Sequence, residues 1–407
     1  MNQENQSQVN RRSFVKTAVA GAGLTLVKPE SVFGAPANSA LTLGLIGCGG
    51  RGTHDSGQFV RITNTQVVAL ADPFKDRLER AKEALDKRLS ERNRPLIDAS
   101  RLYQGMDAYK DLLASDVDMV IITSPPYYHP LHLEAAVAAG KHIYMEKPVA
   151  TDVVGAKRVM EIGQKAQGKV SLAVGFQIRF SEGYGEIVKR VQEGAIGEVV
   201  SGQVYYHAGR LDNRAREGAS EGENRIRNWV FDIELSGDII VEQNIHVIDV
   251  ANWYLQSHPV KAFLTGGRKA RTDVGDCWDH FMGIYWYPNG TKVDFSSSQF
   301  LKGWSDCRNR FFGTKGVADT AYSGHPQITG DNPYEHPSDD PLGNTESNKI
   351  TNFFESIQSG NFINEAQQGA ESTLSSILGR ISAYEGREVT WEEMMASDQK
   401  YDVKIEL

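Results

Sequence analysis

A strand-length apolar run, Leu41-Thr42-Leu43-Gly44-Leu45-Ile46, leads directly into Gly47-Cys48-Gly49-Gly50-Arg51-Gly52. That junction constrains the fold more than any other stretch of the chain. Its spacing is G-x-G-x-x-G: the first glycine permits a tight turn, the second lets a pyrophosphate approach the backbone, and the third lets the next helix pack close to the strand. Free amides at that helix start would face the phosphates. The pattern then repeats. A strand over 65–71 ends in Asp72, followed by a helix over 75–88 and an exposed, charged loop over 89–100. A buried-type strand over 118–123 leads into Ser124-Pro125-Pro126, a helix over 131–139 closed by Gly140, and a strand over 142–145 that ends in Glu146-Lys147-Pro148. Strands alternating with helices at this interval predict a parallel sheet with crossover helices, which binds ligands beyond the C-terminal strand ends. Gly47, Asp72, Thr123 and Lys147 all fall at such ends. Asp72 stands where an acid accepts hydrogen bonds from an adenosine ribose and repels a 2′-phosphate, which favours NAD; Lys75 and Arg77 close by leave NADP open.

Composition narrows the partners. A chain of 407 residues, 40% hydrophobic and 24% charged, has room for two or three globular domains. A formal net charge of -8 without a Lys/Arg stripe argues against nucleic acid or an anionic membrane and for a small-molecule ligand. The three cysteines, Cys48, Cys277 and Cys307, lack the close spacing of a metal site or disulfide framework, and no metal ligand set is expected. Arg11-Arg12-Ser13-Phe14-Val15-Lys16, an apolar run over 17–27 and Ala35-Pro36-Ala37 resemble a twin-arginine export signal spanning 1–37. The apolar run is shorter than the roughly 20 residues a membrane span needs. A periplasmic location follows as the expectation.

After a helix over 153–166, the strand pattern at 170–177 marks a second domain with a boundary near Lys169, placing the nucleotide-binding domain at 38–169, a substrate and oligomerisation domain at 170–387 and a tail at 388–407. Gln177 and Arg179 follow that strand, and His207 ends another over 202–207. The charged stretch 210–227 has the make-up of a lid. Apolar positions Val241, Ile245 and Ile248 predict one helix over 236–253. On it Glu242 and His246 would share a face one turn apart, with Asp249 continuing that face, a pairing suited to general-base work. A hairpin turns at Pro288-Asn289-Gly290. Trp278, Trp286 and Trp304 are candidates for an apolar floor under a sugar ring, and 322–341 reads as a long loop.

Taken together, the glycine fingerprint, Thr123-Ser124-Pro125-Pro126 with His129, and Glu146-Lys147-Pro148 resemble the Gfo/Idh/MocA family of oxidoreductases, with similarity from about Leu41 to Arg387. The resemblance implies an α/β fold: an N-terminal Rossmann domain and a C-terminal α+β domain built on a large, mostly antiparallel open sheet. It implies NAD, or NADP, tightly held by Gly47, Gly49, Gly50, Arg51, Gly52, Asp72, Thr123, Ser124, Pro125, His129, Glu146, Lys147 and Gln177. It places Lys147, Arg179, His207, Glu242 and His246 around the substrate, with Lys147, His246 and Glu242 as the catalytic set. Family members carry an acid-x-x-x-His pair at 242–246; the acid is commonly aspartate, so the glutamate here is a departure. The expected reaction is hydride transfer between nicotinamide and a secondary hydroxyl of a sugar, glycoside or cyclitol, in a homodimer or homotetramer. Two alternatives stand beside it: an NAD-dependent glycosidase working by transient oxidation, elimination and re-reduction, and a non-catalytic periplasmic carbohydrate-binding protein.

Overall fold

A computed structural model describes residues 40–407. The export signal expected at 1–37 lies outside the described residues. Six parallel strands, β1 (Leu41–Ile46), β2 (Thr65–Asp72), β3 (Leu102–Gln104), β4 (Met119–Ile122), β5 (His142–Met145) and β6 (Leu172–Val174), form a sheet in the order β3-β2-β1-β4-β5-β6. Strands β4, β5 and β6 are buried at every position, because helices cover both faces. The order reverses between β1 and β4, which opens a crevice beyond their C-terminal ends. The helix Gly50–Ile62 starts there, directly after the glycine turn.

Nine further strands make a second sheet: β7 (Val199–Gly209), β8 (Lys261–Gly267), β9 (His280–Trp286), β10 (Lys292–Leu301), β11 (Asp306–Gly313), β12 (Gly316–Ala321), β13 (Gln327–Gly330), β14 (Tyr334–Glu335) and β15 (Val389–Thr390). Their order is β14-β13-β12-β11-β7-β10-β9-β8-β15, antiparallel except where β7 meets β10. The helix Ala366–Glu385 packs against both β8 and the helix Val153–Ala166, so it fastens the two sheets together.

Five expectations need correction. The boundary falls after β6 rather than at Lys169, because Leu172–Val174 pairs with β5 and completes the first sheet. The tail is not loose: β15 pairs with β8, the helix Trp391–Ala396 follows, and the Tyr401 amide donates to Asp152 Oδ2 at 2.8 Å. The loop at 322–341 contributes β13 and β14 to the sheet edge, and the helix of 75–88 runs on to Glu91 into the expected loop. The helix over 236–253 is two helices, Ile239–Glu242 and Ile245–Leu255. At the break the Asn244 amide reaches back to the Ile239 carbonyl, one residue further than an α-helical bond, and Glu242 and His246 stand on opposite sides of this widened turn in the chain.

Two histidines of the first domain contribute to its acid stability. His142 Nδ1 accepts the Ser171 amide at 2.9 Å, a bond that needs an unprotonated nitrogen, and burial pushes its pKa down to about 4. His132 lies 4.4 Å from the Tyr109 ring, and burial, with His129 adding to it, pushes it to about 3. In the unfolded chain both titrate near 6.5, so the unfolded state takes up these protons first. Their contribution is complete above that pH and is lost as pH falls toward the folded values. Between pH 7 and pH 5 the unfolding free energy is expected to drop by about 2 kcal/mol per histidine, read from urea midpoints; His142→Asn should remove its share of the slope.

Candidate active site

The glycine turn has the shape its spacing predicts. Gly47 has φ +95°, and a Cβ there would lie 2.6 Å from the Ser124 amide nitrogen. A Cβ on Gly52 would lie 2.4 Å from the Gly47 carbonyl oxygen, so neither position tolerates a side chain. Gly49 and Gly50 are different, because their Cβ positions meet nothing within 4 Å. Their backbone borders open space at a helix start, a cradle that fits a dinucleotide's phosphates. The cavity continues along Asp72, Thr123, Ser124 and Pro125 to Tyr109 and His132.

Asp72 is 3% exposed, and its two oxygens accept the Cys48 amide at 2.8 Å and the Phe74 amide at 2.9 Å. It therefore shapes the glycine loop, while each oxygen keeps a lone pair for a ribose hydroxyl. Burial raises its pKa against the opposing pull of Arg77.

Beside this cavity lies a second one, lined by Thr123, Ser124, His129, Glu146, Lys147, Gln177, Trp229, Glu242 and His246. It brings the end of β5 against the helix break. Arg51 Nε lies 3.1 Å from Glu146 Oε1 and 3.0 Å from Asp55 Oδ1, which ties the charged triplet to the glycine loop. Glu146 Oε2 accepts the Lys147 amide at 3.2 Å, and a Cβ on Gly175 would land 2.5 Å from that same oxygen. The Lys147–Pro148 bond is cis. Lys147 Nζ donates to the Glu242 carbonyl at 2.6 Å and lies 3.3 Å from Glu242 Oε1. The helix break supplies that carbonyl as an acceptor at the end of the helix Ile239–Glu242. His129 bridges the cavity wall: Nδ1 faces the Pro148 carbonyl at 2.7 Å and Nε2 the Ser124 carbonyl at 2.8 Å. Burial outweighs both carbonyls and lowers its pKa to about 4.

His246 is 8% exposed, and its Nδ1 has no hydrogen-bond partner among the described residues. Burial lowers its pKa well below the ordinary histidine value, and Lys147 and Arg51 push the same way. The ring is therefore neutral at physiological pH and able to accept a proton. Next to it stands a cation that can hold a developing oxyanion.

Expected placements change for Asp249, Arg179, His207 and the three tryptophans. Asp249, three residues on from His246 in the same helix, lines neither cavity; it is buried under Arg179, whose Nε and Nη2 donate to its carboxylate at 2.9–3.1 Å, and it accepts from Gln368 and Ser372 as well. Arg179 is thereby committed to Asp249 and the Trp253 ring and lines neither cavity. His207 stays on β7, bonded to Ser298 Oγ at 2.9 Å and Ser296 Oγ at 3.2 Å, also outside both cavities. None of Trp278, Trp286 and Trp304 forms an apolar floor there: Trp278 stacks on Tyr384, Lys261 sits over Trp286, and Trp304 is exposed in the connection between β10 and β11, beside His207. The tryptophan that does reach the site is Trp229, which lines both cavities. Its signal was available as the apolar cluster Ile226, Trp229, Val230 and Phe231 that closes an otherwise charged stretch.

Comparison with known proteins agrees with this architecture. Residues 41–176 match the family described as "Oxidoreductase family, NAD-binding Rossmann fold", and residues 184–319 match the GFO/IDH/MocA C-terminal domain. A Glycosyl hydrolase family 109 protein of Shewanella baltica is 29% identical over 220 residues, 49% of this chain and 46% of that protein. An inositol 2-dehydrogenase of Klebsiella pneumoniae is 30% identical over 217 residues, 53% of this chain and 55% of that protein. The chain thus spans about half the length of these curated relatives. A solved aldose-aldose oxidoreductase of Caulobacter crescentus shares the fold with a TM-score of 0.69 at 20% identity, over 86% of this chain and 99% of that one. With the glycine cradle, the six-stranded parallel sheet and the nine-stranded sheet in place, the chain belongs to the Gfo/Idh/MocA oxidoreductase family and its first domain is an NAD-binding Rossmann domain.

Proposed function

We propose that the chain is an NAD-dependent dehydrogenase acting on a secondary hydroxyl of a sugar, glycoside or cyclitol. The observation that carries this reading is the convergence of Lys147 and neutral His246 on one cavity that opens beside the glycine cradle. A bound nicotinamide supplies the hydride acceptor. Lys147 then polarises the substrate oxygen, His246 receives its proton, and Glu242 holds the lysine head from both its carbonyl and its carboxylate. Trp229 offers an apolar wall to a ring. Mass spectrometry of ligand released from the denatured protein, then a screen of polyols and glycosides for NADH absorbance, tests the reading; no NADH from any of them counts against it.

The match to a Glycosyl hydrolase family 109 protein favours a second reading, in which oxidation is transient and an aglycone is expelled. Release of aglycone without net NADH selects that reading over the first. A non-catalytic carbohydrate-binding role has less support, because it leaves the Lys147 and His246 pairing without a purpose.

Export by the twin-arginine route belongs to the same proposal. Replacing Arg11 and Arg12 by lysine is expected to retain the protein in the cytoplasm, as cell fractionation reads it. So does homo-oligomerisation through the nine-stranded sheet. Phe263, Met282 and Ile284 are 47%, 50% and 38% exposed on adjacent strands β8 and β9, an apolar patch suited to a second copy. Phe263→Glu with Ile284→Lys is expected to give a monomer by light scattering, and an unchanged mass would exclude this face.

A further inference from the structure

The segment expected to be a lid leaves the end of β7 and crosses to the first domain. Leu211, Asp212 and Arg214, and then Ile226 to Val230, line the nucleotide cavity opposite the glycine turn. Its helix Glu221–Arg227 is braced from behind by the C-terminal segment: a Cβ on Gly222 would lie 2.0 Å from the Glu406 carbonyl oxygen. Two of its arginines clasp one carboxylate of the Rossmann domain, with Arg216 Nη2 2.6 Å from Asp76 Oδ2 and Arg227 Nη2 2.7 Å from Asp76 Oδ1. Arg227 is 5% exposed, lies 4.1 Å from the centroid of the Phe74 ring and pairs with Glu223 as well. These two arginines depress the Asp76 pKa against its partial burial.

The pairing of the other arginines in this segment singles one out. Arg210 meets Asp273, Arg216 meets Asp76, Arg225 meets Asp232 and Glu234, and Arg227 meets Asp76 and Glu223. Among the described residues the Arg214 guanidinium has neither an ion pair nor a hydrogen bond; only its backbone amide is bonded, to Asn228 Oδ1 at 2.7 Å. It lines both the nucleotide cavity and the adjoining groove along the outside of the glycine turn. Arg77 lines the same two spaces from the Rossmann side. The groove is lined by seven arginines, Arg61, Arg77, Arg80, Arg88, Arg214, Arg216 and Arg227, and by no acid. Like charges gathered in this way favour an anion, and a guanidinium is the group that grips phosphate oxygens in pairs.

We infer that Arg214 is a phosphate-binding residue carried on a strap from the second domain, and that it closes with Arg77 on a phosphate group of the bound dinucleotide. The Asp76 clasp fixes the strap at the height where Arg214 faces the glycine turn. Asp212, in the same wall, faces hydroxyl-bearing parts of the ligand instead. The diphosphate and an adenosine 2′-phosphate share this chemistry. The inference rests on the chain binding a dinucleotide in this cavity.

Arg214 is exposed, so Arg214→Ala should fold. Titration of the full chain, stripped of any bound nucleotide, with NAD, NADP, ADP and adenosine separates the cases. Weakening of NAD and ADP by about tenfold, with adenosine unchanged, supports the clamp and assigns it to the diphosphate. A loss confined to NADP supports it and assigns it to the 2′-phosphate. Equal affinities for all four ligands in parent and variant, or an equal loss for adenosine and ADP, overturns the inference. A parent that binds none of the four would instead count against the dinucleotide site. As a second variant, Asp76→Asn should raise the NAD dissociation rate severalfold in stopped flow; an unchanged rate contradicts the role given to the clasp.

Discussion

Lys147→Met is expected to lower kcat/KM for hydroxyl oxidation by about 10³-fold, or about 4 kcal/mol of transition-state stabilisation, while NAD affinity stays within a few-fold of the parent. Methionine keeps most of the length and the apolar stem, so the change isolates the charge. The ammonium group, 12% exposed on its side chain, bonds to Glu242 twice, and the carbonyl bond at 2.6 Å is shorter than the carboxylate contact at 3.3 Å. Glu242→Gln is therefore expected to be milder, about tenfold, because the carbonyl still positions the lysine. Lys147→Arg should not restore the rate, since a planar fork does not replace a compact cation in that geometry. Near-normal turnover by Lys147→Met would remove the residue from the reaction, whatever its position.

The Rossmann half was legible because its signals are local. The strand run at Leu41–Ile46, the glycine spacing and the position of Asp72 each depend on a few consecutive residues, and the parallel sheet follows from their repetition. Lys147 was legible for the same reason, as a strand-end residue. What the sequence misled on is the neighbourhood of each charged side chain. Periodicity made Glu242, His246 and Asp249 one face, yet the turn at Asn244 breaks the helix between Glu242 and His246, and cations claim both acids, Lys147 for Glu242 and Arg179 for Asp249. No spacing rule reports a turn of that kind. Arg214 was hidden in a stretch of mixed charge whose path over the cavity depends on a clasp to Asp76, about 140 residues earlier.

That Glu242 bonds to Lys147, with no hydrogen bond to His246 among the described residues, changes what His246 is expected to do. A histidine oriented by a carboxylate has its cation stabilised and its pKa raised. Here the acid bonds to Lys147, Nδ1 has no partner among the described residues, and burial together with Lys147 and Arg51 holds the ring pKa well below the ordinary value. A base must be deprotonated to act, so the acid limb of kcat/KM for oxidation should lie below pH 6.5, with a plateau from there through neutrality. A dyad-assisted histidine would put the limb above that pH. The lowered pKa weakens the ring as a base; in the proposed reaction Lys147 would offset this by stabilising the alkoxide directly, both residues acting on the same oxygen. His246→Ala is expected to cost about 10²–10³-fold in rate and to remove the acid limb. Because it removes one of the two cations that oppose protonation of the ring, Lys147→Met should raise the limb toward 6.5 in whatever activity remains. An acid limb unchanged in His246→Ala would assign it to another group, and the neutral histidine would then be a wall of the cavity and not its base.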